Sequence, residues 1–173
     1  MPNHFHLLVE VNRFTLSTIM QSLLTRYSKR FNIRHKGLGH LFQGRYKAIL
    51  CQKDAYLQEL VRYIHLNPVR AKLVKDPKAW RWSSHRHYLA YETGDLVNRG
   101  LTLSMFHPHS ARARGLYAAF VRDGLGTGHQ QNYYPSQIFP CLGEEAFASR
   151  YRELLEEKEP AEKPRQRPLS LER

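Results

Sequence analysis

Residues 1–10 read MPNHFHLLVE. Side chains of an extended chain alternate faces, so Phe5, Leu7 and Val9 fall on one side and His4, His6 and Leu8 on the other. The alternation predicts a strand with two imidazoles on a shared face. Two neutral ring nitrogens at that spacing can converge on one divalent cation, or they can line a polar surface. The stretch alone leaves both readings open.

Working outward, TLSTIMQSLLTRYSKRFN places Leu16, Ile19, Met20, Leu23, Leu24, Tyr27 and Phe31 along one helical stripe, with Thr15 or Ser17 as the N-cap. Its Met and aromatic members, Met20, Tyr27 and Phe31, are expected to pack into the core. Arg26, Lys29 and Arg30 stand on the other side, followed by Arg34, His35 and Lys36, as a solvated face or an edge that tracks phosphates. Glycines at 37 and 39 predict a turn, then an extended run from about Leu41 to Leu50. Phe42, Tyr46 and Ile49 alternate there with Arg45 and Lys47, a pattern that suits bases stacking on rings and phosphates pairing with cations.

Asp54 is the expected N-cap of a helix over DAYLQELVRYIHLN, closed by Pro68, which disfavours helical geometry at the residue before it. Leu57, Leu60, Val61 and Ile64 form its packing stripe. Tyr63 and Asn67 lie one turn apart on an adjacent face. Trp80, Trp82 and Tyr88 are expected to pack a loop and short helix onto the domain, and a further helix is predicted from about Ser110 to Val121, ending at Gly124. The expected organisation is one domain over 1–125, a linker over 126–139, an acidic helix over 140–158 and an unfolded tail over 159–173.

Charge divides along the same lines. Of the formal +12, residues 1–115 hold 19 Lys and Arg against 6 Asp and Glu, and residues 116–173 hold 8 against 9. A basic surface confined to the first two thirds fits a polyanion, whose condensed counterions are released on binding. Cys51 and Cys141 show no paired spacing, so neither a disulfide framework nor a cysteine zinc site is indicated, and a reducing cytoplasm is the expected compartment. No apolar run is long enough to span a membrane and no signal peptide is evident, so no membrane partner is expected.

The chemistry needs the opening segment and the Tyr63 helix together. His4 and His6 offer two ligands and the Asn67 amide oxygen a third, leaving positions for substrate oxygens. A phenol beside a cation that polarises a phosphate is an oxygen nucleophile, and its attack would leave a covalent phosphotyrosine.

Taken together, MPNHFHLLVE and RYIHLNPVRAKLV, separated by a helix and GHLFQGRYKAIL, resemble the REP-associated tyrosine transposases, a bacterial branch of the HUH single-tyrosine transposases. The resemblance runs from about Met1 to Tyr91. It implies an α+β fold, a ferredoxin-like domain with an antiparallel sheet and helices on its faces, followed by a helical tail. It further implies His4, His6 and Asn67 as ligands of Mg²⁺ or Mn²⁺, Tyr63 as nucleophile, and single-stranded hairpin DNA of repetitive palindromes as substrate. The implied DNA contacts are Arg26, Lys29, Arg30, Arg34, Lys36, Arg45, Lys47, Arg62 and Arg70. Monomers and homodimers both fit, and the setting would be a bacterial nucleoid. Family members carry a further strand and helix ahead of the histidine strand, so the chain is expected to begin partway into the domain. A metal-dependent strand transferase and a silent binder of structured single-stranded DNA are the two readings that result.

Overall fold

The computed structural model describes residues 1–92, 94, 97–126 and 141–157. The expected linker, but for residue 126, and the expected tail lie outside the described residues.

The first regular element is the helix α1, Leu16–His35. Thr15, in extended conformation, caps it by accepting from the backbone N–H of Thr18, which satisfies one of the free donors of the first turn. At the other end Lys36 turns left-handed (φ 52°) and its N–H returns to the Asn32 carbonyl. The apolar stripe of α1 is not the core. Met20 is its one buried member, and Leu23 and Tyr27 are 44% and 55% exposed. Tyr27 instead packs its ring on Phe31 and Phe42, and Phe42 in turn meets Phe5. An aromatic layer thus joins α1 to the opening segment and to the glycine-rich stretch.

The sheet also differs from expectation. Residues 4–9 have no strand hydrogen bonding, and Leu41 to Ile49 is irregular. The strands among the described residues are β1, Leu50–Cys51, and β2, Cys141–Leu142, paired in parallel with Leu50 opposite Cys141 and Cys51 opposite Leu142. Gln52 N–H extends the ladder to the Leu142 carbonyl, while the Gln52 side-chain oxygen accepts from Glu144 N–H. Alternation of side chains is necessary for a half-buried strand but not sufficient. A strand also needs a neighbour to satisfy its backbone, and none flanks residues 4–9 among the described residues. Phe5 and Leu7 are correspondingly about half exposed.

The helix α2 spans Lys53–Arg70 and runs through Pro68. Its N-cap is Gln52, with Asp54 inside the first turn, where a carboxylate favours the helix dipole. Pro68 sits in the last turn, so only one intrahelical donor is lost, and Ala71 N–H to Asn67 and Leu73 N–H to Pro68 close the end. The core is helical. Val61 and Leu66 of α2 pack with Tyr88 of α3 (His85–Tyr88), Leu103 of α4 (Gly100–Ser104), and Ala113, Tyr117 and Val121 of α5 (Ser110–Asp123). Trp82, by contrast, is 72% exposed. Gly124 ends α5 where a Cβ would stand 2.7 Å from Leu66 Cδ1, so the absence of a side chain lets α5 close on α2. The helix α6, Glu145–Glu157, follows β2.

One polar network lies inside this core. The Tyr117 hydroxyl, with the residue fully buried, sits 2.7 Å from His65 Nδ1 and 2.6 Å from His85 Nδ1, and His65 Nε2 is 2.7 Å from Ser84 Oγ. Burial pushes the His65 imidazole down to about 3, helped by His85, and the His85 imidazole down to about 4, so both rings are neutral at pH 7. Three elements are hydrogen-bonded through two imidazoles and one phenol.

Candidate functional site

Although residues 1–9 form no strand, they reach α2. The rings of His4 and His6 meet edge to face at 5.1 Å between centroids, and His6 meets the Tyr63 ring in the same way at 6.2 Å. Lys53 at the start of α2 pairs with Glu10 at 2.5 Å, a largely exposed contact that adds ~1 kcal/mol or less to holding the segment there. Burial lowers the His6 pKa, and the adjacent His4 and the N-terminal ammonium lower it further.

The tautomer of His4 follows from its neighbour. Asn3 Oδ1 lies 2.8 Å from His4 Nδ1, and a carbonyl oxygen can only accept, so in the neutral tautomer that this contact selects Nδ1 carries the proton and Nε2 the lone pair. Hydrogen bonding of one imidazole nitrogen by an amide or carboxylate is the usual way a metal-ligating histidine is oriented. Asn3 was not singled out by its sequence, since nothing in its spacing marks it.

Tyr63 is 5% exposed. The guanidinium of Arg70 lies 5.1 Å from the ring centroid, and Arg70 Nη1 donates to the Tyr63 carbonyl at 3.4 Å. A cation over the ring face is attracted by the π-system and fixes the phenol's rotamer from the C-terminal end of α2. Asn67 lies one turn beyond Tyr63, and its amide nitrogen is buried with no partner among the described residues. A 180° turn of the amide would place the oxygen in that position instead. Two imidazoles and one amide oxygen are a donor set that suits a hard or borderline divalent cation. Among the described residues no group of three His, Cys, Asp or Glu side chains could hold a metal, so any such site depends on Asn67 or on substrate oxygens for its third donor.

Residues 1–67 match the family model described as Transposase IS200 like. The matched segment holds His4, His6, Tyr63 and Asn67. Comparison with curated proteins and with solved structures gives no match. Residues 1–67, well under half of the chain, are thus similar to a family of transposases, and the helical core past residue 67 lies outside that similarity. The mixture of helices with a small parallel sheet is compatible with an α+β transposase domain. Among the described residues no helix is long and apolar enough to cross a membrane.

The basic residues expected to contact DNA divide in two. Arg26, Lys29, Arg30 and Arg34 are exposed on α1, Lys36 caps it, and Arg45 and Lys47 are exposed on the irregular run after the glycines. Arg62 is held inward instead. It pairs with Glu59 at 2.5 Å and lies 4.1 Å over the Phe120 ring, so it joins α2 to α5. Arg70 is likewise engaged by Tyr63.

Proposed function

We propose that this chain cleaves and rejoins single-stranded DNA through Tyr63, as a metal-dependent transposase. The Tyr63 hydroxyl oxygen attacks the scissile phosphorus, the bond from phosphorus to the 3′ oxygen breaks, and that oxygen leaves with a proton as a free 3′ hydroxyl. The 5′ phosphate stays on Tyr63, so the ester energy is retained for rejoining. His4, His6 and Asn67 would hold Mg²⁺ or Mn²⁺, which supplies Lewis acidity to neutralise charge on the phosphate. The exposed cations of α1 and of residues 45–47 grip the backbone of a hairpin, the substrate class that the resemblance to REP-associated tyrosine transposases implies. The single observation that carries this reading is the contact of the His6 and Tyr63 rings, which joins two sequence motifs 57 positions apart within the segment similar to IS200-like transposases.

A second reading, binding of structured single-stranded DNA without cleavage, draws on the burial of Tyr63. One experiment separates them. The chain is incubated with a hairpin oligonucleotide and Mn²⁺, and a denaturation-resistant adduct is sought by electrophoresis. An adduct formed by the wild type and lost in Tyr63→Phe supports the transferase; retained binding without any adduct leaves the silent binder.

A further inference from the structure

The last turns before α3 and the C-terminal half of α5 enclose a cavity of about 120 Å³, roughly the volume of four waters. Lys75, Lys78 and Arg122 stand at its exposed edge, and no ion pair holds any of them among the described residues. The one carboxylate in the wall, Asp76, accepts from Lys78 N–H through Oδ1 at 2.9 Å, and its charge also acts on His85. Val121 and Leu125 supply an apolar floor. His85 also lines it. That residue is 2% exposed, and its Nδ1 is used by Tyr117, which leaves Nε2 as the ring atom available to the cavity.

From this geometry we infer that the cavity is a second phosphate-binding site, taking one backbone phosphodiester of single-stranded DNA between Lys75, Lys78, Arg122 and His85. Three cations against one carboxylate favour an anion, and the volume accommodates a phosphate group. Nucleic acid is favoured as the source by the neighbouring surface. Trp82, between Lys78 and His85 in the chain, is 72% exposed, and the Arg81 guanidinium covers one ring face at 4.6 Å, leaving the other for an unpaired base. The site rests on the reading of the chain as a DNA-binding protein, but not on catalysis by Tyr63.

Proton accounting ties the cavity to the core network. An anion requires a donor, so His85 Nε2 carries the proton and Nδ1 accepts from the Tyr117 hydroxyl. The Tyr117 oxygen then accepts from His65 Nδ1–H, and His65 Nε2 accepts from the Ser84 hydroxyl. The opposite arrangement of protons would turn a bare Nε2 toward the anion. A bound phosphate therefore selects one of two tautomeric states in a chain that passes through His65 of α2, two residues from Tyr63, and ends at the Ser84 hydroxyl.

The test uses the full chain with the exposed pair changed, Lys78→Gln with Arg122→Gln, urea melts confirming that the fold is kept. Binding of a 20-nucleotide single strand is measured by fluorescence anisotropy over a salt series, with each phosphate replaced in turn by a neutral methylphosphonate. The expected result is a salt slope lower by about 0.7 in the variant, and one linkage whose neutralisation weakens the wild type severalfold and the variant not at all. An unchanged slope, or neutral linkages that cost both proteins equally, overturns the proposal. Inorganic phosphate that shifts the His85 ring nitrogens in NMR spectra and is not displaced by DNA also overturns it, assigning the cavity to free phosphate. Adduct formation is scored separately: coupling at Lys78 and Arg122 without a wild-type adduct defeats only the Tyr63 reading.

Discussion

His6 and Tyr63, one in a segment without regular structure and the other buried on α2, meet edge to face with ring centroids 6.2 Å apart. The contact brings the phenol beside a pair of imidazoles whose ring nitrogens differ in role. Asn3 occupies one nitrogen of His4, so the other is the nitrogen that the proposed cation would use.

Asn3 is therefore expected to act through His4. Asn3→Ala removes the acceptor that fixes the tautomer, and Mn²⁺ affinity measured by calorimetry should fall by about tenfold, the usual scale for the loss of a hydrogen bond behind a ligand. His6→Ala should cost more, since it removes a proposed ligand outright. Equal Mn²⁺ affinity in wild type and His6→Ala would take the cation away from this site.

Stability should depend on pH through His65 and His85. Both folded-state values, about 3 and about 4, lie below the ordinary 6.5 because burial disfavours the charged ring. Between these values and 6.5 the unfolded chain binds more protons than the folded one, so stability is complete above pH 6.5 and falls as pH drops toward 4. Each histidine should cost roughly 2 kcal/mol between pH 7.5 and pH 5. Urea titrations at the two pH values measure this, and His85→Gln should show the smaller fall.

Gly124→Ala places a methyl against Leu66, itself 1% exposed, and against Arg62. Overpacking of this kind costs about 1–3 kcal/mol, read as a lower urea midpoint with unchanged slope. A neutral result would mean that α5 can retreat from α2 freely.

Arg62 and Arg30 should part company. Arg62→Ala loses the Glu59 pair and the contact with Phe120, with an expected cost of about 1–2 kcal/mol in stability and little change in the salt slope of DNA binding. Arg30→Ala on the exposed face of α1 should leave stability intact and lower the slope by about 0.7 if it contacts a phosphate. Anisotropy and urea melts on both variants check the contrast.

Helices were legible where one local signal sufficed. The periodicity and Thr15 cap of α1, and the Gly124 end of α5, are properties of consecutive residues. Strands were not, because β1 finds its partner about ninety positions away in β2 and nothing in LC or CL specifies that pairing. Burial was misjudged for a different reason. The stripe of α1 is apolar, yet little lies over it among the described residues. On α2, His65 continues the run Leu57, Val61 at intervals of four, a position that marks it as core despite its polarity. A buried imidazole at such a position needs a hydrogen-bonding partner, which Tyr117 supplies. The proximity of His6 to Tyr63 was legible only through the joint motif; neither residue alone points to the other.

The bond from His65 to Tyr117 also bears on where the phenol of Tyr63 points. Apolar packing resists separation of helices but tolerates small rolls about their axes, whereas hydrogen bonds are directional and penalise such rolls. At about 100° per residue, positions 63 and 65 stand about 200° apart around α2, nearly diametrically opposed. Clamping one side of that cylinder indexes the other, so the azimuth of the candidate nucleophile is set by an imidazole that never faces it.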